Sequence, residues 1–212
     1  MPVFRSGHGL APQWCELEFF EIVRLAVGES HEFEWIGAKE KLIVGAGDCR
    51  IASAGGVGEV ATKGANLDLT EAGGTFRVTE VNRATILIRM CGHWGDRLGG
   101  SGLFTGVRIT DPQDKGDPVA YPKQTNFDSH YHDCNEYWIL FEGHGEVVTE
   151  GKSFDVRDGD CVATGMGHHH DMPVVHVTIR AVYFETSMAG QKRRGHLWDH
   201  THGEAQPQLD RV

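Results

Sequence analysis

The sequence lacks the features of an exported or membrane-spanning chain. Its N-terminus has no basic stretch followed by an apolar one, and no apolar run approaches the ~20 residues of a membrane span. Its five cysteines are odd in number and include no CxxC pair, which disfavours a disulfide framework and a cysteine zinc site. We therefore expect a soluble, cytoplasmic protein.

Positive charge is also scarce. The chain has 20 Lys and Arg residues against 30 Asp and Glu residues, a formal net charge of −10 at pH 7. This excess of negative charge would repel phosphate backbones and anionic lipid headgroups. We expect neither a nucleic-acid partner nor a membrane partner, and favour a small-molecule substrate.

Helical periodicity is rare, whereas 28 glycines and 7 prolines indicate many short elements joined by turns. Apolar and polar residues alternate in three segments, which predicts strands with one buried face. These segments are residues 75–81, 152–157 and 176–183. Turn-forming residues punctuate the chain at 45–48, 71–74 and 157–160. The pattern predicts an all-β fold, either a sandwich or a barrel.

The chain contains an internal repeat. Residues 40–47 and 136–143, 96 positions apart, each begin with a glutamate and end with a glycine seven residues later. A repeat of this kind indicates two similar structural units. We predict a first domain over 1–100, a second over 101–187 and a polar C-terminal tail over 188–212.

Two histidines near the second repeat have the spacing of metal ligands. His130 and His132 would lie on one face of a strand with Cα atoms ~6.6 Å apart, close enough to hold one ion. Glu136 can join them only if the chain turns between, and Asp133, Cys134 and Asn135 are turn-forming residues. A histidine from 168–170 could supply a further ligand, because the neighbouring glycines let the backbone bend. The alternative is a surface strand that carries histidines by chance.

These residues resemble the two sequence motifs of the cupin superfamily. The first motif is met by His130, His132, Glu136 and Gly143, and the second by Gly159, Gly167 and His170. The sequence departs from the usual pattern at Gln124 for Gly, Gly165 for Pro and Val174 for Asn. None of these three is a metal ligand in the motif, so the departures bear on the shape of the loops around the site.

The resemblance implies a double-stranded β-helix, a small jelly-roll barrel with a metal ion in its mouth. The ligands carried over are His130, His132, Glu136 and His170, and the cofactor is one divalent transition metal ion per chain, Fe, Mn, Ni, Co or Zn. The resemblance also implies that homodimers are common.

The first repeat has lost most of these ligands. A shift of 96 residues places Glu34, Ile36, Glu40 and Gly74 opposite the four ligands. His31 lies close by, but a lone histidine beside a strand is more often solvated or satisfied locally. We predict a bicupin, with a degenerate N-terminal cupin and an intact C-terminal one.

Other residues are candidates for the walls of the site. His168 would face the same way as His170 on a regular strand, and is our candidate catalytic base. Trp138 shares the face of Glu136 and is either pocket wall or core. Gln124 and Asn126 are expected at the mouth of the pocket. Arg180 either points to solvent or enters the pocket as an anion clamp.

Three neutral imidazoles and one carboxylate around a divalent ion leave a net charge of +1, which suits substrates that chelate through two oxygens. A redox-inert ion predicts an isomerase, epimerase or lyase acting on a sugar-like, carboxylate or hydroxyketone metabolite. Fe(II) predicts a dioxygenase instead. A non-enzymatic small-molecule-binding protein is the third possibility.

Overall fold

More than half of the chain forms β-strands, and there is very little helix. The computed structural model describes residues 2–7, 9–53, 56–69, 74–113, 115–188, 190 and 192–211. Strands account for 56% of the chain and helix for 2%, which confirms the predicted all-β class. Within these ranges we find no helix long and apolar enough to cross a bilayer.

The chain divides into two units. The N-terminal unit comprises Ser6–Ala11 and Glu16–Trp94, and the C-terminal unit comprises Met1–Arg5, Pro12–Cys15 and Gly95–Val212. The division after Trp94 differs from the boundary we predicted after residue 100, which falls inside a strand of the C-terminal unit. The residues predicted as a separate tail also belong to that unit.

The N-terminal unit is built on one antiparallel six-stranded sheet. Its strands are β2 (Leu17–Leu25), β3 (His31–Glu34), β4 (Lys39–Ser53), β5 (Glu59–Thr62), β6 (Asn66–Leu69) and β7 (Thr75–Gly92). In the sheet, β2, β7, β4 and β5 are neighbours in that order, while β3 pairs with β7 and β6 pairs with β4. Their inward-facing apolar side chains, among them Phe33, Leu42 and Leu87, form one core cluster.

The C-terminal unit is built on a second antiparallel six-stranded sheet. Its elements are β1 (Val3–Arg5), β8 (Leu98–Gly106), β9 (Glu136–Thr149), β10 (Lys152–Arg157), β11 (Asp160–Thr164), β12 (His170–Ser187) and the short helix α1 (Asp199–His202). The strand order is β1, β11, β9, β12 and β8, and β10 pairs with β9. A separate core cluster includes Trp138, Leu140 and Ile179.

Bends in the long strands let each sheet curve. The pairing of β9 with β12 changes register several times between Asp171 and Ala181. Gly143 lies at this bend with φ of 85°, and a side chain there would collide with the carbonyl oxygen of Thr178. The motif glycine is therefore required by backbone conformation and by the close approach of β12.

Most of the predicted local structure is confirmed. The three alternating segments lie in β7, β10 and β12, and the turn at 157–160 joins β10 to β11. The turn predicted at 45–48 is wrong, because these residues continue β4 through a register shift with Gly47 at φ of 76°. Of the turn predicted at 71–74, residues 71–73 lie outside the described residues.

Candidate metal centre

The four predicted ligands come from the starts of two neighbouring strands and from the segment that precedes them. Glu136 opens β9 and His170 opens β12, while His130 pairs with His170 through an isolated β-bridge. The chain bends at Asp133 and Cys134, which returns Glu136 toward the histidines. The bend predicted between the histidines and the glutamate is therefore present.

One ligand atom from each of these four side chains lies within 4.8 Å of the others. The Nε2 atoms of His130 and His132 are 3.0 Å apart, and Glu136 Oε2 is 3.3 Å from His132 Nε2 and 2.7 Å from His170 Nε2. All four residues are at most 4% exposed. Three imidazole nitrogens and one carboxylate oxygen thus face one small interior volume.

Hydrogen bonds to backbone carbonyl oxygens fix the tautomers of the His130 and His170 rings. His130 Nδ1 donates to the carbonyl oxygen of Asp128 at 2.8 Å, and His170 Nδ1 donates to that of His168 at 3.0 Å. Because a carbonyl oxygen can only accept, Nδ1 carries the proton in the neutral ring and Nε2 presents a lone pair. This is the usual arrangement behind a metal-bound histidine.

Two of the facing atoms have no hydrogen-bond partner. Glu136 Oε2 and His170 Nε2 are fully buried, and their 2.7 Å contact brings two acceptors together when His170 is neutral. Buried polar atoms are rarely left unpaired, because desolvation costs about 1–3 kcal/mol each. A cation between these atoms would satisfy both of them. The residues therefore fit a divalent ion held by three nitrogens and one oxygen.

Electrostatic interactions keep the carboxylate ionised. Burial alone would raise the pKa of Glu136, but His132 and His170 hold it well below its usual range. Burial lowers the pKa of His130 well below its usual value, and the neighbouring His170 and His132 add to this effect. The ionised Glu136 and the neutral His130 are in the forms that bind metal ions. Burial would lower the pKa of His132, but the Glu136 carboxylate raises it overall.

Trp138 stands beside the ligands. Its ring centroid is 5.3 Å from that of His170, and it packs against Phe104 at 5.5 Å and Phe127 at 5.7 Å. The aromatic cluster of Trp138, Phe104 and Phe127 thus forms one side of the site. It also belongs to the core of the C-terminal unit, and its role as a pocket wall stays a prediction.

Three other predicted site residues do not join the cluster. His168 Nε2 faces the carbonyl oxygen of Gln208 at 2.9 Å, because residues 165–168 form a turn and the alternation assumed for a strand fails there. Arg180 points to solvent and pairs with Glu142 at 2.8 Å, so the anion clamp is wrong. Asn126 is exposed and its Oδ1 accepts from the amide of Gln113.

Gln124 lies in the loop that precedes the ligands. It is partly buried, and its amide donates to the carbonyl oxygen of Pro173 at 2.7 Å while its own carbonyl accepts from Ile109. These backbone bonds attach the loop to the start of β12. A role for its side chain in substrate binding stays a prediction.

A cavity of about 320 Å³ reaches His170 from one side, and Asp117, Tyr121, Ser129 and His169 also line it. Asp117 accepts hydrogen bonds from the amide of Asp199 at 2.8 Å and from His200 Nδ1 at 2.7 Å, so it fastens the start of α1. The cavity could admit a small metabolite next to a ligand.

Sequence reasoning missed three residues around the histidines. His196 stacks on His130 with ring centroids 3.6 Å apart and an interplanar angle of 2°. Asp128 accepts from His196 Nδ1 at 2.9 Å, and Glu185 Oε1 is 4.0 Å from His132 Nδ1. His196 belongs to the predicted polar tail, and nothing in its local sequence distinguishes it from the other tail histidines.

The corresponding glutamate of the N-terminal unit has a different partner. The fully buried carboxylate of Glu40 pairs with Arg89, whose Nε and Nη2 lie 2.7 and 2.6 Å from Oε2. The amides of Ile36 and Gly37 also donate to it. His31 packs edge-on against Phe33. A guanidinium therefore neutralises the buried carboxylate here.

The comparisons with solved structures bear on the fold. YhaK from Escherichia coli aligns with a TM-score of 0.54 at 14% identity, over 88% of this chain and 93% of that one. A variant of Bacillus subtilis oxalate decarboxylase aligns with a TM-score of 0.53 at 10% identity, over 82% and 70% of the two chains. Identities this low show the fold alone, and that fold is the all-β cupin barrel.

A relative among curated proteins is much closer in sequence, although no family model matches the chain. The protein named "Uncharacterized protein y4oW" of Sinorhizobium fredii is 46% identical over 212 residues, which are 100% of this chain and 97% of the relative. This chain therefore belongs to the same family as y4oW.

Proposed function

We propose that the C-terminal unit binds one divalent transition metal ion, Fe, Mn, Ni, Co or Zn, through His130, His132, Glu136 and His170. The observation that carries the proposal is the pair of buried, unpartnered acceptors, Glu136 Oε2 and His170 Nε2, which face each other at 2.7 Å. A cation between them satisfies both atoms at once, and it would also satisfy the Nε2 atoms of His130 and His132, which face each other at 3.0 Å.

We propose further that the protein is an enzyme that converts a small polyoxygenated metabolite, sugar-like or a carboxylate or hydroxyketone, by isomerase, epimerase or lyase chemistry. Four protein ligands leave one or two coordination positions for substrate oxygens. A bound ion would supply Lewis-acid polarisation of a substrate carbonyl or, if redox-active, electrons for oxygen chemistry. The ligands themselves contribute one negative charge, so a divalent site keeps a net +1 that attracts an anionic substrate.

The chain's own residues would shape and orient this site. Asp128 and His168 hold the rings of His130 and His170 through their carbonyl oxygens. Trp138 closes one side with an apolar surface and excludes water from it. The cavity that reaches His170 and is bordered by Ser129 and Tyr121 would hold the substrate.

A dioxygenase is the second candidate function. The Trp138 ring, which packs on Phe104 and Phe127, lies 5.3 Å from the His170 ring, and such an aromatic surface would suit a flat phenolic or diketone substrate. A protein that only binds a small molecule is the third. Oxygen uptake separates the first two, because Fe(II)-loaded protein consumes oxygen with such substrates only if it is a dioxygenase.

The N-terminal unit would act as a degenerate cupin without a metal. The support is the ion pair of Glu40 with Arg89, which occupies the position of the ligand glutamate in the sequence repeat. Assembly as a homodimer in the cytoplasm stays a prediction, which sedimentation and cell fractionation would check.

The test of the metal proposal is elemental analysis of protein purified from its native source. We expect one transition metal ion per chain. Two ions per chain would mean that the N-terminal unit also binds, and none after metal-replete expression would refute the site. Density for a small molecule beside the ion would then identify the substrate class.

A further inference from the structure

The segment 192–211, here called the strap, is fastened to the C-terminal unit along its length. Arg193 pairs with Asp133 at 2.9 Å, and Tyr131 and Leu197 form a two-bond β-bridge. Further along, the amide of Gln208 donates to the carbonyl oxygen of Met166 at 3.1 Å. The strap, which lies in the segment predicted as a polar tail, is therefore a folded part of the C-terminal unit.

The strap reaches two of the three histidine ligands directly. The His196 ring lies parallel to that of His130 at 3.6 Å and edge-on to that of His132 at 5.5 Å. The His132 ring also donates a hydrogen bond to the backbone carbonyl oxygen of Gly195. These contacts do not involve the Nε2 atoms that face the proposed ion. They therefore affect the orientation of the ligand rings.

Asp128 connects the strap to His130. Its carbonyl oxygen accepts from His130 Nδ1 at 2.8 Å, while its carboxylate accepts from His196 Nδ1 at 2.9 Å and from Trp198 Nε1 at 2.8 Å. One residue thus receives hydrogen bonds from a ligand and from two strap side chains. A change in the strap is transmitted to the ligand through Asp128 and through the stacked ring.

We infer that His196, together with Asp128, is a positioning residue that fixes the His130 ring for metal binding, so that the strap forms part of the metal site. This inference rests on the proposed metal function. Ligands pre-oriented by outer contacts lose less freedom on binding an ion, and loss of such a contact commonly weakens metal affinity about 10–100-fold. The coordination geometry should change as well, since a free His130 ring can rotate.

Three substitutions at one position separate the two contacts of His196. His196→Phe keeps a flat ring over His130 but loses the bond to Asp128. His196→Asn keeps a donor near the position of Nδ1 but loses the ring. His196→Ala loses both contacts. His176→Ala is the matched control, because the His176 side chain is similarly exposed (48% against 44% for His196), lies near a carboxylate and packs beside the His144 ring.

The measurements are Zn²⁺ affinity by competition with a chelator and the visible absorption spectrum of the Co²⁺-loaded protein. We expect His196→Ala to weaken Zn²⁺ binding about 10–100-fold and to shift the Co²⁺ bands. His196→Phe and His196→Asn should each recover part of the loss, and His176→Ala should match the wild type. Combining His196→Ala with Asp128→Ala should cost less than the two single losses together, since both remove the bond between these two side chains.

The outcomes distinguish this inference from the metal proposal. Wild-type protein that binds neither ion contradicts the metal site itself. Wild type that binds, with a His196→Ala variant of unchanged affinity and spectrum, overturns only the positioning role. If His196→Ala does not fold, wild-type affinity in both His196→Phe and His196→Asn would likewise overturn the positioning role.

Discussion

Replacing Arg89 with methionine should destabilise the N-terminal unit strongly. The substitution leaves the Glu40 carboxylate, which is 0% exposed, without its guanidinium partner. Breaking a buried ion pair from one side costs about 3–5 kcal/mol, because the remaining charge stays desolvated. In a domain of about 60–100 residues, such as this unit, each kcal/mol shifts the melting temperature by about 4–8 °C, so we expect a fall of about 12–40 °C in the transition of this unit.

A second substitution tests whether the loss of stability comes from the unpaired charge of Glu40. Adding Glu40→Gln to Arg89→Met removes the stranded carboxylate, while the amide oxygen of Gln can still accept from the amides of Ile36 and Gly37. The double variant should therefore be more stable than Arg89→Met alone.

Urea unfolding of the metal-free protein measures both effects. A cost below about 1 kcal/mol for Arg89→Met, the range of an exposed pair, would show that the ion pair does not hold this unit together. A double variant no more stable than the single one would refute the reasoning from stranded charge. In that case the lost packing of Arg89 on Phe33 and Phe76, 5.1 and 5.4 Å from its guanidinium carbon, would explain the cost.

Three further predictions concern the C-terminal unit. His132→Ala should abolish both metal binding and the rise in melting temperature on adding Zn²⁺. His31→Ala should leave both intact. Unchanged metal content in His132→Ala would contradict the ligand assignment. Gly165→Ala should destabilise the protein by about 1–3 kcal/mol in urea, because its Cβ would lie 2.6 Å from Arg211 O, and equal stability would mean that the strap is not packed there. Burial raises the pKa of Asp117, but hydrogen bonds from Asp199 and His200 lower it overall. Its stabilisation of the strap is therefore present above the unfolded pKa of ~3.9 and lost as the pH falls through the lower folded value, which amide hydrogen exchange of 192–211 would detect.

The features predicted well from sequence are those with local patterns. Alternating residues located β7, β10 and β12, because period two reports which side chains face a core. The motif spacing selected the four side chains that lie within 4.8 Å of one another. Gly143 is part of that motif for a physical reason, since its backbone has φ of 85°.

The failures depend on contacts that are distant in sequence. A glycine such as Gly47 suits a turn or a bulge equally, and only the pairing of β4 with β7 decides between them. His196 and Asp128 are 68 residues apart, so neither predicts the other. Arg180 pairs across the sheet with Glu142, its partner in register, which alternation along one strand cannot reveal.

The pairing of β1 with β11 has a practical consequence for anyone who wishes to produce the metal-binding half by itself. Val3, Phe4 and Arg5 cover the outer edge of β11, although they precede the N-terminal unit in the chain. A fragment that starts near residue 95 would expose that edge and invite self-association. A usable fragment would need residues 2–5 joined back by a linker, or the chain rearranged so that they follow residue 211.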